Sequence, residues 1–413
     1  MFDIVIIGGG VSGLYTHYLF EKNTDKKVLL LEGSNRFGGR IYQINDNVLN
    51  HNYSFPAGGA RFNKNHHNVI KVLKEFKLLD FRSDKSFNAE VEFIDSKNEF
   101  EKNFKNKSGF FYINKIIQKS KQLDSNSLKK LSFKELAMMC LSKVEVNYML
   151  VASGYSGQLK NMNAYDAVEL FSNGIRDDLP YWGGKFHLLI DKIVNYLKEN
   201  KCDLMLGSQV TTIKTNNEND LYEIKTKDNI FYGKQIIFCI PKPNLLKISY
   251  LKPIHNLLNN AVSCKPLCRT YAIFKKEDIW FQNLNKKVIT NNNLRYIIPM
   301  DREHGLIMIS YTDDIYTDFW KKIQNSQEKL KTQIVKLVKE TFDINIKKPV
   351  KVYVCNWDCG VAYWNKNLDS DTVSDFIINP MPNIYIAGEN YSLTQSWVEG
   401  ALETSKKCFK LIK

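Results

Sequence analysis

The chain has 413 residues, 44% of them hydrophobic and 25% charged, which is typical of a globular protein large enough for two domains. Its net charge of +14 comes from basic residues scattered along the chain, and this scatter argues against a nucleic-acid partner. No apolar run is long enough to span a bilayer and the first strand begins at residue 3, so we expect no membrane partner, no signal peptide and a soluble cytoplasmic protein.

The eight cysteines are expected to be reduced and mostly buried, as in intracellular proteins. Two pairs, Cys264/Cys268 and Cys355/Cys359, raise the question of a metal site. Each pair has three intervening residues, whereas zinc knuckles more often have two, and both pairs flank predicted strands. We therefore predict no metal.

The first predicted elements form a dinucleotide-binding unit. The short apolar run 3–7 predicts a buried parallel strand, and a glycine loop and a helix follow it. In that loop Gly8 permits a tight turn, Gly10 lets the backbone approach a pyrophosphate, and Gly13 lets the helix pack closely on the sheet. The helix start, at Val11 and Ser12, offers N–H groups to phosphates.

A second apolar run, 28–31, ends at Glu32, where a carboxylate can accept hydrogen bonds from ribose hydroxyls. A glycine loop alone could be a structural turn in an α/β sheet. The preceding strand, the following helix and the acidic residue at the end of a second strand favour dinucleotide binding.

The remaining pattern predicts an α/β protein, α+β overall, with helices and strands in alternating blocks. The predicted elements, in chain order, are helices at 66–79 and 113–123, a glycine turn at 183–185 with a helix after it, a strand at 209–213, a hairpin at 222–232, a strand at 235–240, mixed strands with a helix at 327–340 between 251 and 350, and a strand at 383–387.

Two further motifs narrow the cofactor. Gly38-Gly39-Arg40 follows the acidic residue, and Ala387-Gly388-Glu389 precedes Trp397-Val398 near the C-terminus. With the N-terminal loop, these motifs resemble those of the flavin amine oxidase family, which includes monoamine, polyamine and L-amino-acid oxidases. An arginine fork suits phosphate oxygens, and N–H groups at a helix start suit the N1–C2=O edge of a flavin.

The resemblance implies a discontinuous, Rossmann-like FAD-binding domain at 1–75, 180–250 and 350–413, and a substrate domain at 76–179 and 251–349. It covers the whole chain but is strong only at 1–62, 183–241 and 383–405. The residues expected to contact FAD are Gly8, Gly10, Val11, Ser12, Gly13, Glu32, Gly38, Gly39, Arg40, Gly59, Ala60, Arg61, Val210, Gly388, Glu389, Trp397 and Val398.

The substrate side is less well defined. Arg61 occupies the position of an arginine that clamps the substrate carboxylate in L-amino-acid oxidases, although a cofactor or structural role is also open. Tyr363, Trp364 and Trp397 are candidates for an aromatic wall that excludes water, or are core residues. The family usually has a lysine that holds a water near flavin N5, and the matching residue here is Arg269, with Lys265 and Lys275 as possible substitutes.

The predicted function is oxidation of a C–N bond in an amine or amino acid by hydride transfer to FAD, with oxygen as acceptor and hydrogen peroxide as product. The match to the flavin-linked cysteine of monoamine oxidases falls near Val361, two residues from Cys359, so we expect non-covalent FAD. The alternatives are a carbon–carbon desaturase, a protoporphyrinogen oxidase-like enzyme, or a catalytically silent flavoprotein, which Arg269 keeps open. The sequence does not indicate the oligomeric state.

Overall fold

A computed structural model describes residues 1–80, 90–100, 104, 107–176, 179–216 and 221–413. Parts of the predicted substrate segment 76–179 therefore lie outside the described residues. The described strands are β1 (Phe2–Ile7), β2 (Val28–Leu31), β3 (Gln43–Val48), β4 (His51–Pro56), β5 (Arg61–Phe62), β6 (Val91–Ile94), β7 (Trp182–Gly183), β8 (Asp203–Met205), β9 (Thr212–Asn216), β10 (Leu221–Lys225), β11 (Ile230–Phe238), β12 (Val262–Ile273), β13 (Lys287–Thr290), β14 (Tyr296–Asp301), β15 (Leu306–Asp313), β16 (Lys351–Trp364) and β17 (Ile384–Ile386).

The described helices are α1 (Val11–Asn23), α2 (His67–Glu75), α3 (Gly109–Ser120), α4 (Ser125–Lys130), α5 (Phe133–Cys140), α6 (Lys143–Ala152), α7 (Gly157–Asn161), α8 (Ala164–Glu169), α9 (Phe186–Glu199), α10 (Lys242–Leu245), α11 (His255–Ala261), α12 (Thr317–Ile323), α13 (Gln327–Phe342), α14 (Ser370–Ile378) and α15 (Val398–Ile412). A π-helical turn at Leu170–Gly174 continues α8. Within the described ranges, no helix combines the length and the apolar character needed to cross a membrane.

The first sheet has seven strands and collects them from three distant parts of the chain. Its order is β8-β2-β1-β11-β10-β9, with β17 beside β11. β1 lies between parallel neighbours, because Ile4 is paired with both Val28 and Gln235. Helices cover this buried centre, as the apolar run at residues 3–7 requires. The predicted α/β fold is confirmed.

The second sheet has six strands in the order β16-β12-β15-β14-β13-β6. Its longest pairing joins β12 to β16 in antiparallel register, from Val262 opposite Trp364 to Ile273 opposite Lys351. β16 therefore belongs to this sheet, although the predicted domain boundary at 350 assigned it to the cofactor domain. The domain boundaries remain predictions.

The two ends of the chain pack together. Ser12 at the start of α1 contacts Ser405 on α15, with 2.8 Å between their hydroxyl oxygens, and the Ser405 hydroxyl also donates to the Ser12 carbonyl. Small residues let these helices approach closely beside the glycine loop. The N-terminal loop and the C-terminal motif thus share one face of the first sheet.

The expectation that all cysteines are reduced is wrong. Cys264 on β12 and Cys359 on β16 form a disulfide, and their Cα atoms lie 4.9 Å apart. They are 95 residues apart in sequence, and only the antiparallel pairing of β12 with β16 brings them together. The spacing of the cysteines in the sequence did not indicate a disulfide between two strands.

Candidate cofactor and substrate site

The glycine loop between β1 and α1 has no room for side chains at two of its positions. A Cβ on Gly13 would lie 1.9 Å from the Gly8 carbonyl oxygen, and Gly8 itself has φ +113°. Gly10 differs, because a Cβ there would meet nothing closer than the Gly39 Cα at 4.0 Å. The space beside Gly10 is therefore open towards the cavity, as a phosphate-binding loop requires.

Glu32 directly follows β2 and forms hydrogen bonds that hold the glycine loop in place. Its carboxylate accepts from the Gly9 N–H at 2.6 Å, and from the N–H and hydroxyl of Ser34 at 2.8 and 2.7 Å. These donors hold Glu32 beside the loop, where it also lines the cavity. The predicted position for a ribose-binding carboxylate is thus occupied by a rigidly held acid.

Two arginines shape the neighbouring turn, and one of them, Arg36, was not predicted from the sequence. Arg36 donates to the Gly39 carbonyl at 2.7 Å and to the Ile41 carbonyl at 3.3 Å, which stabilises a turn with φ +107° at Gly38 and +55° at Gly39. A basic residue two positions before Gly38 was the available sign. Arg40 donates through Nη1 to Glu389 Oε2 at 2.8 Å.

The Arg40–Glu389 ion pair joins the turn after β2 to the C-terminal motif and to β16. The same Arg40 nitrogen donates to the carbonyls of Cys359 and Gly360, and Glu389 Oε1 accepts from the Ser396 N–H at 2.6 Å. Arg40 therefore positions the far wall of the cavity in addition to facing it. Both residues were predicted to contact the cofactor, and the structure brings them together.

One cavity of about 790 Å³ runs along the carboxyl ends of the parallel strands, within the range of about 300–1,000 Å³ usual for cofactor and ligand sites. The predicted site residues that line it are Gly8, Gly10, Val11, Ser12, Glu32, Gly38, Gly39, Arg40, Gly59, Val210, Arg269, Gly388, Glu389, Trp397 and Val398. Gly388 has φ +145°, and a Cβ there would meet no atom within 4 Å. These bare backbone positions and the carboxylate of Glu32 fit a dinucleotide such as FAD.

Other predicted residues lie behind the cavity wall. Tyr363 packs into the helical core and Trp364 into the core under the first sheet, where its indole N–H donates to the Ser392 carbonyl at 3.1 Å. Gly13 lies under the glycine loop, and the Ala60 carbonyl accepts from the Gly184 N–H at 2.8 Å. Neither aromatic residue is among those that line the cavity.

Arg61 stacks on aromatic rings next to the cavity, although it is not among the described residues that line it. Its guanidinium lies 4.5 Å from the centre of the Tyr181 ring and 5.9 Å from that of Trp397. These two rings are parallel to within 10°, with centres 6.0 Å apart. Cation–π contacts of this kind hold a charged guanidinium in a partly buried place. The aromatic partner supplied by Tyr181 was missed, because it follows no periodic pattern.

Arg269 on β12 reaches the same end of the cavity. It donates to the carbonyls of Pro56 (3.3 Å) and Gly58 and lies 4.8 Å from the Tyr311 ring centre. Burial is the strongest influence on its pKa and acts to lower it, but Tyr311 and Tyr271 favour the charged form and raise the pKa above its ordinary value. Arg269 therefore stays a cation.

The two lysines considered as substitutes point elsewhere. Lys265 forms an ion pair with Asp314 at 2.9 Å, and Lys275 is exposed. Arg269 is thus the basic residue that β12 presents to the cavity. The sequence did not show which residues of β12 face the cavity. The antiparallel pairing of β12 with β16 determines this.

His66 lies behind this end of the site, with its ring centre 4.5 Å from that of Trp397. Burial, with smaller effects of the charges on His67 and Arg61, lowers the pKa of His66 to about 3. Its Nδ1 accepts from the Asn63 N–H at 3.3 Å. His66 is therefore a neutral imidazole that supports Trp397, a role with no sequence signature.

The profile described as "Flavin containing amine oxidoreductase" matches residues 11–408. The chain belongs to this family. Membership makes it an FAD-dependent oxidoreductase, which confirms the predicted family, enzyme class and cofactor type. The Gly38-Gly39-Arg40 motif and the C-terminal motif fall within the matched residues, whereas Gly8 and Gly10 of the N-terminal loop precede them.

Sequence relatives align with very different lengths of the chain. An uncharacterized protein of Acanthamoeba polyphaga mimivirus is 21% identical over 484 residues, which include 98% of this chain and 92% of that protein. Horse amine oxidase A is 34% identical over 82 residues, and achacin of Lissachatina fulica is 41% identical over 78. These two alignments include 20% and 18% of this chain, and 15% and 14% of the relatives.

The fold has a solved counterpart. Putrescine oxidase bound to putrescine superposes with a TM-score of 0.77 at 16% identity, over 100% of this chain and 98% of that one. At this identity the likeness concerns the fold.

Proposed function

We propose that the protein oxidises the C–N bond of an amino acid, within the broader activity of its family on amines. The observation that carries this proposal is that two arginines lie at this site: Arg269 lines the cavity, and Arg61 stacks on Trp397, which also lines it. Tyr155 and Tyr311 lie near both guanidinium groups, and each tyrosine raises the pKa of both arginines. Two fixed cations favour a substrate that brings a carboxylate.

The same charges would act on the reacting amine. A neighbouring positive charge disfavours a protonated ammonium, so Arg61 and Arg269 would favour the neutral amine that can release a hydride equivalent from its α-carbon. Bound FAD supplies the acceptor for that hydride. The product imine hydrolyses after release, and we propose oxygen as the final electron acceptor, with hydrogen peroxide as product.

The aromatic side chains have a complementary role. Trp397, Tyr311 and Trp357 line the cavity, and the Trp357 indole donates to the Ala57 carbonyl at 2.8 Å. Their rings would exclude water and limit the orientations of the substrate, which is the main contribution that a protein makes to such a reaction. We assign the wall to these residues rather than to Tyr363 and Trp364.

We further propose that FAD is bound without a covalent link. Cys359 is the cysteine closest to the position of the flavin-linked residue in monoamine oxidases, and its sulfur is engaged with Cys264. Val361, which lines the cavity, has no nucleophile. Denaturation alone should therefore release FAD, and flavin that stays with the precipitated chain would contradict the proposal.

The decisive experiment is anaerobic reduction of the bound flavin by panels of amino acids, simple amines and polyamines. We expect loss of the oxidised flavin absorbance with at least one amino acid, and peroxide once air is admitted. Reduction by amines alone would refute the carboxylate requirement. No reduction by any compound would favour the desaturase or the catalytically silent flavoprotein.

Arg61→Gln tests the clamp directly. Loss of a charge-assisted hydrogen bond, about 1.5–3 kcal/mol, should raise the KM for an amino acid roughly 10- to 100-fold. The KM for the matching amine without a carboxylate should change little. The control is Arg302→Gln, since Arg302 donates to the Leu284 carbonyl and is not among the described residues that line the cavity. Equal effects of Arg61→Gln on both substrates would remove the carboxylate role.

A further inference from the structure

Two turns meet outside the cofactor cavity and bring three metal-binding side chains together. His51 begins β4 in the β3–β4 hairpin, whereas Asp301 and His304 belong to the turn between β14 and β15. The imidazole rings of His51 and His304 stack with centres 3.8 Å apart and planes 13° apart. One nitrogen from each histidine and one oxygen of Asp301 all lie within 4.8 Å of one another.

Neighbouring groups hold these side chains in place. Oδ1 of Asp301 accepts from the N–H groups of Glu303 and His304 at 2.9 and 3.0 Å, which leaves Oδ2 facing His304 Nδ1 at 2.8 Å. The Tyr53 hydroxyl donates to the His304 carbonyl at 2.6 Å, and its ring packs edge-on against His51. Such outer contacts orient ligands in metal sites.

We propose that His51, Asp301 and His304 bind a zinc ion. Two imidazoles and one carboxylate are a donor set that zinc accepts, with bonds of about 2.0–2.2 Å and neighbouring ligand atoms roughly 3.3 Å apart in a tetrahedron. His304 Nδ1 and Asp301 Oδ2 need to separate by about half an ångström to admit the ion, and one of the two stacked imidazoles must rotate so that both ring planes contain it. All three side chains are partly exposed, so water can complete the coordination.

The donor set also argues against other ions. Calcium and magnesium prefer oxygen ligands, whereas two of these three groups are nitrogen donors. Copper(II) binds nitrogen and oxygen ligands more tightly than zinc does, so it serves as a competitor in the test. The site is separate from the amine-oxidising site, and the proposal does not depend on the substrate.

The ion would join parts of the molecule that are distant in sequence. Tyr53 and Phe55 of β4 pack on the second sheet beside Tyr271. β4 ends at Pro56, whose carbonyl accepts hydrogen bonds from Tyr271 and Arg269. Zinc at the hairpin tip would restrain the strand that carries this carbonyl, and because it binds the folded form, it should raise the melting temperature.

The test is a zinc titration of the flavin-loaded protein after treatment with a chelator and desalting, with a fluorescent zinc indicator as competitor. We expect one zinc ion per chain, a higher melting temperature, displacement by copper(II), and no effect of magnesium. His51→Asn and His304→Asn should each weaken zinc binding on the order of 100-fold or more, since changes even to supporting residues cost about 10–100-fold. His187→Asn, on α9, is the matched control and should bind zinc as the unaltered protein does.

X-ray absorption at the zinc edge of the unaltered protein keeps the test decisive if a variant fails to fold. We expect only nitrogen and oxygen neighbours at about 2.0–2.1 Å. Sulfur near 2.3 Å would place the ion on cysteines and overturn the proposal. No stoichiometric binding, or binding that both histidine variants retain, would overturn it as well and leave a hydrogen-bonded surface cluster.

Discussion

The two ends of the cavity recognise their ligands by different means. At the cofactor end the wall is largely backbone and includes Gly8, Gly10, Gly39 and Gly388. At the substrate end the wall consists of side chains such as Arg269 and Tyr311. A wall made of backbone admits only glycine where a side chain would collide with the cofactor or with neighbouring backbone. Such a wall therefore appears in the sequence as glycines at fixed spacing. A side-chain wall needs only that suitable groups converge.

Replacing glycines should have the largest effect on folding and FAD binding. It would test whether the cofactor end recognises FAD through close contact with the backbone. In Gly13→Ala the new Cβ would lie 1.9 Å from a backbone oxygen, so we expect no folded flavoprotein. In Gly10→Ala the Cβ has free space in the protein, so the fold should survive by circular dichroism. FAD affinity should still fall by roughly 10- to 100-fold, from about 1–3 kcal/mol of steric conflict.

Gly183→Ala is the matched control, since a Cβ there meets nothing within 4 Å and the position has no positive φ. It should retain FAD as the unaltered protein does. Normal FAD affinity in Gly10→Ala would show that the loop is not a close-contact surface, and the distinction between the two ends would then fail.

The same contrast explains which features could be predicted from the sequence. β1, the glycine loop and Glu32 lie within 32 consecutive residues, and each has a steric or periodic requirement that is visible locally. The helix predicted at 327–340 was likewise found as α13, because its amphipathic period is local. Such features need no knowledge of distant contacts.

The residues missed at the substrate end come from distant segments. Tyr181 precedes β7, Tyr311 lies on β15 and His66 precedes α2, and nothing in their local sequence marks them. Tyr363 and Trp364 were chosen for their residue type and lie in cores instead. The Cys264–Cys359 disulfide likewise depends on strand pairing across 95 residues. Convergence of this kind is a property of the tertiary fold.

Removing the disulfide should give the next largest effect, because it ties Cys359, which lines the cavity, to the neighbouring strand β12 of the second sheet. A cross-link that closes a loop of this length stabilises by about 4–5 kcal/mol, so Cys264→Ser should lower the free energy of unfolding by up to about that amount. FAD affinity should also fall, since Arg40 bonds the Cys359 carbonyl. Cys140→Ser, at a free cysteine, is the control for denaturant unfolding. Unchanged unfolding would show that the two ends are stabilised independently.

A smaller effect should follow from pH at His66, behind the Trp397 that both ends share. Its pKa is about 3 in the folded protein and 6.5 as its ordinary value, so the unfolded chain binds more protons between these pH values. The stability contributed by neutral His66 is therefore complete above pH 6.5 and is lost as pH falls towards 3. From pH 7 to pH 5 the loss is about 2 kcal/mol.

His66→Gln should remove that share of the pH dependence, measured as the difference in unfolding free energy between variant and unaltered protein at pH 7 and at pH 5. His67→Gln, at the exposed neighbour, should keep the full dependence. Parallel pH profiles for the His66 variant and the unaltered protein would mean that His66 is not held neutral.

Arg269→Lys should give the smallest effect and tests the contrast from the substrate end. A lysine keeps the charge but lacks the planar fork that contacts the carbonyls of Pro56 and Gly58 and stacks on Tyr311. We expect the KM for an amino acid to rise about tenfold, or 1.4 kcal/mol, with unchanged FAD affinity. Arg302→Lys serves as the control. A loss of FAD affinity that matched the rise in KM would place Arg269 at the cofactor end. A side chain would then contribute to the recognition of FAD, which we assign to the backbone.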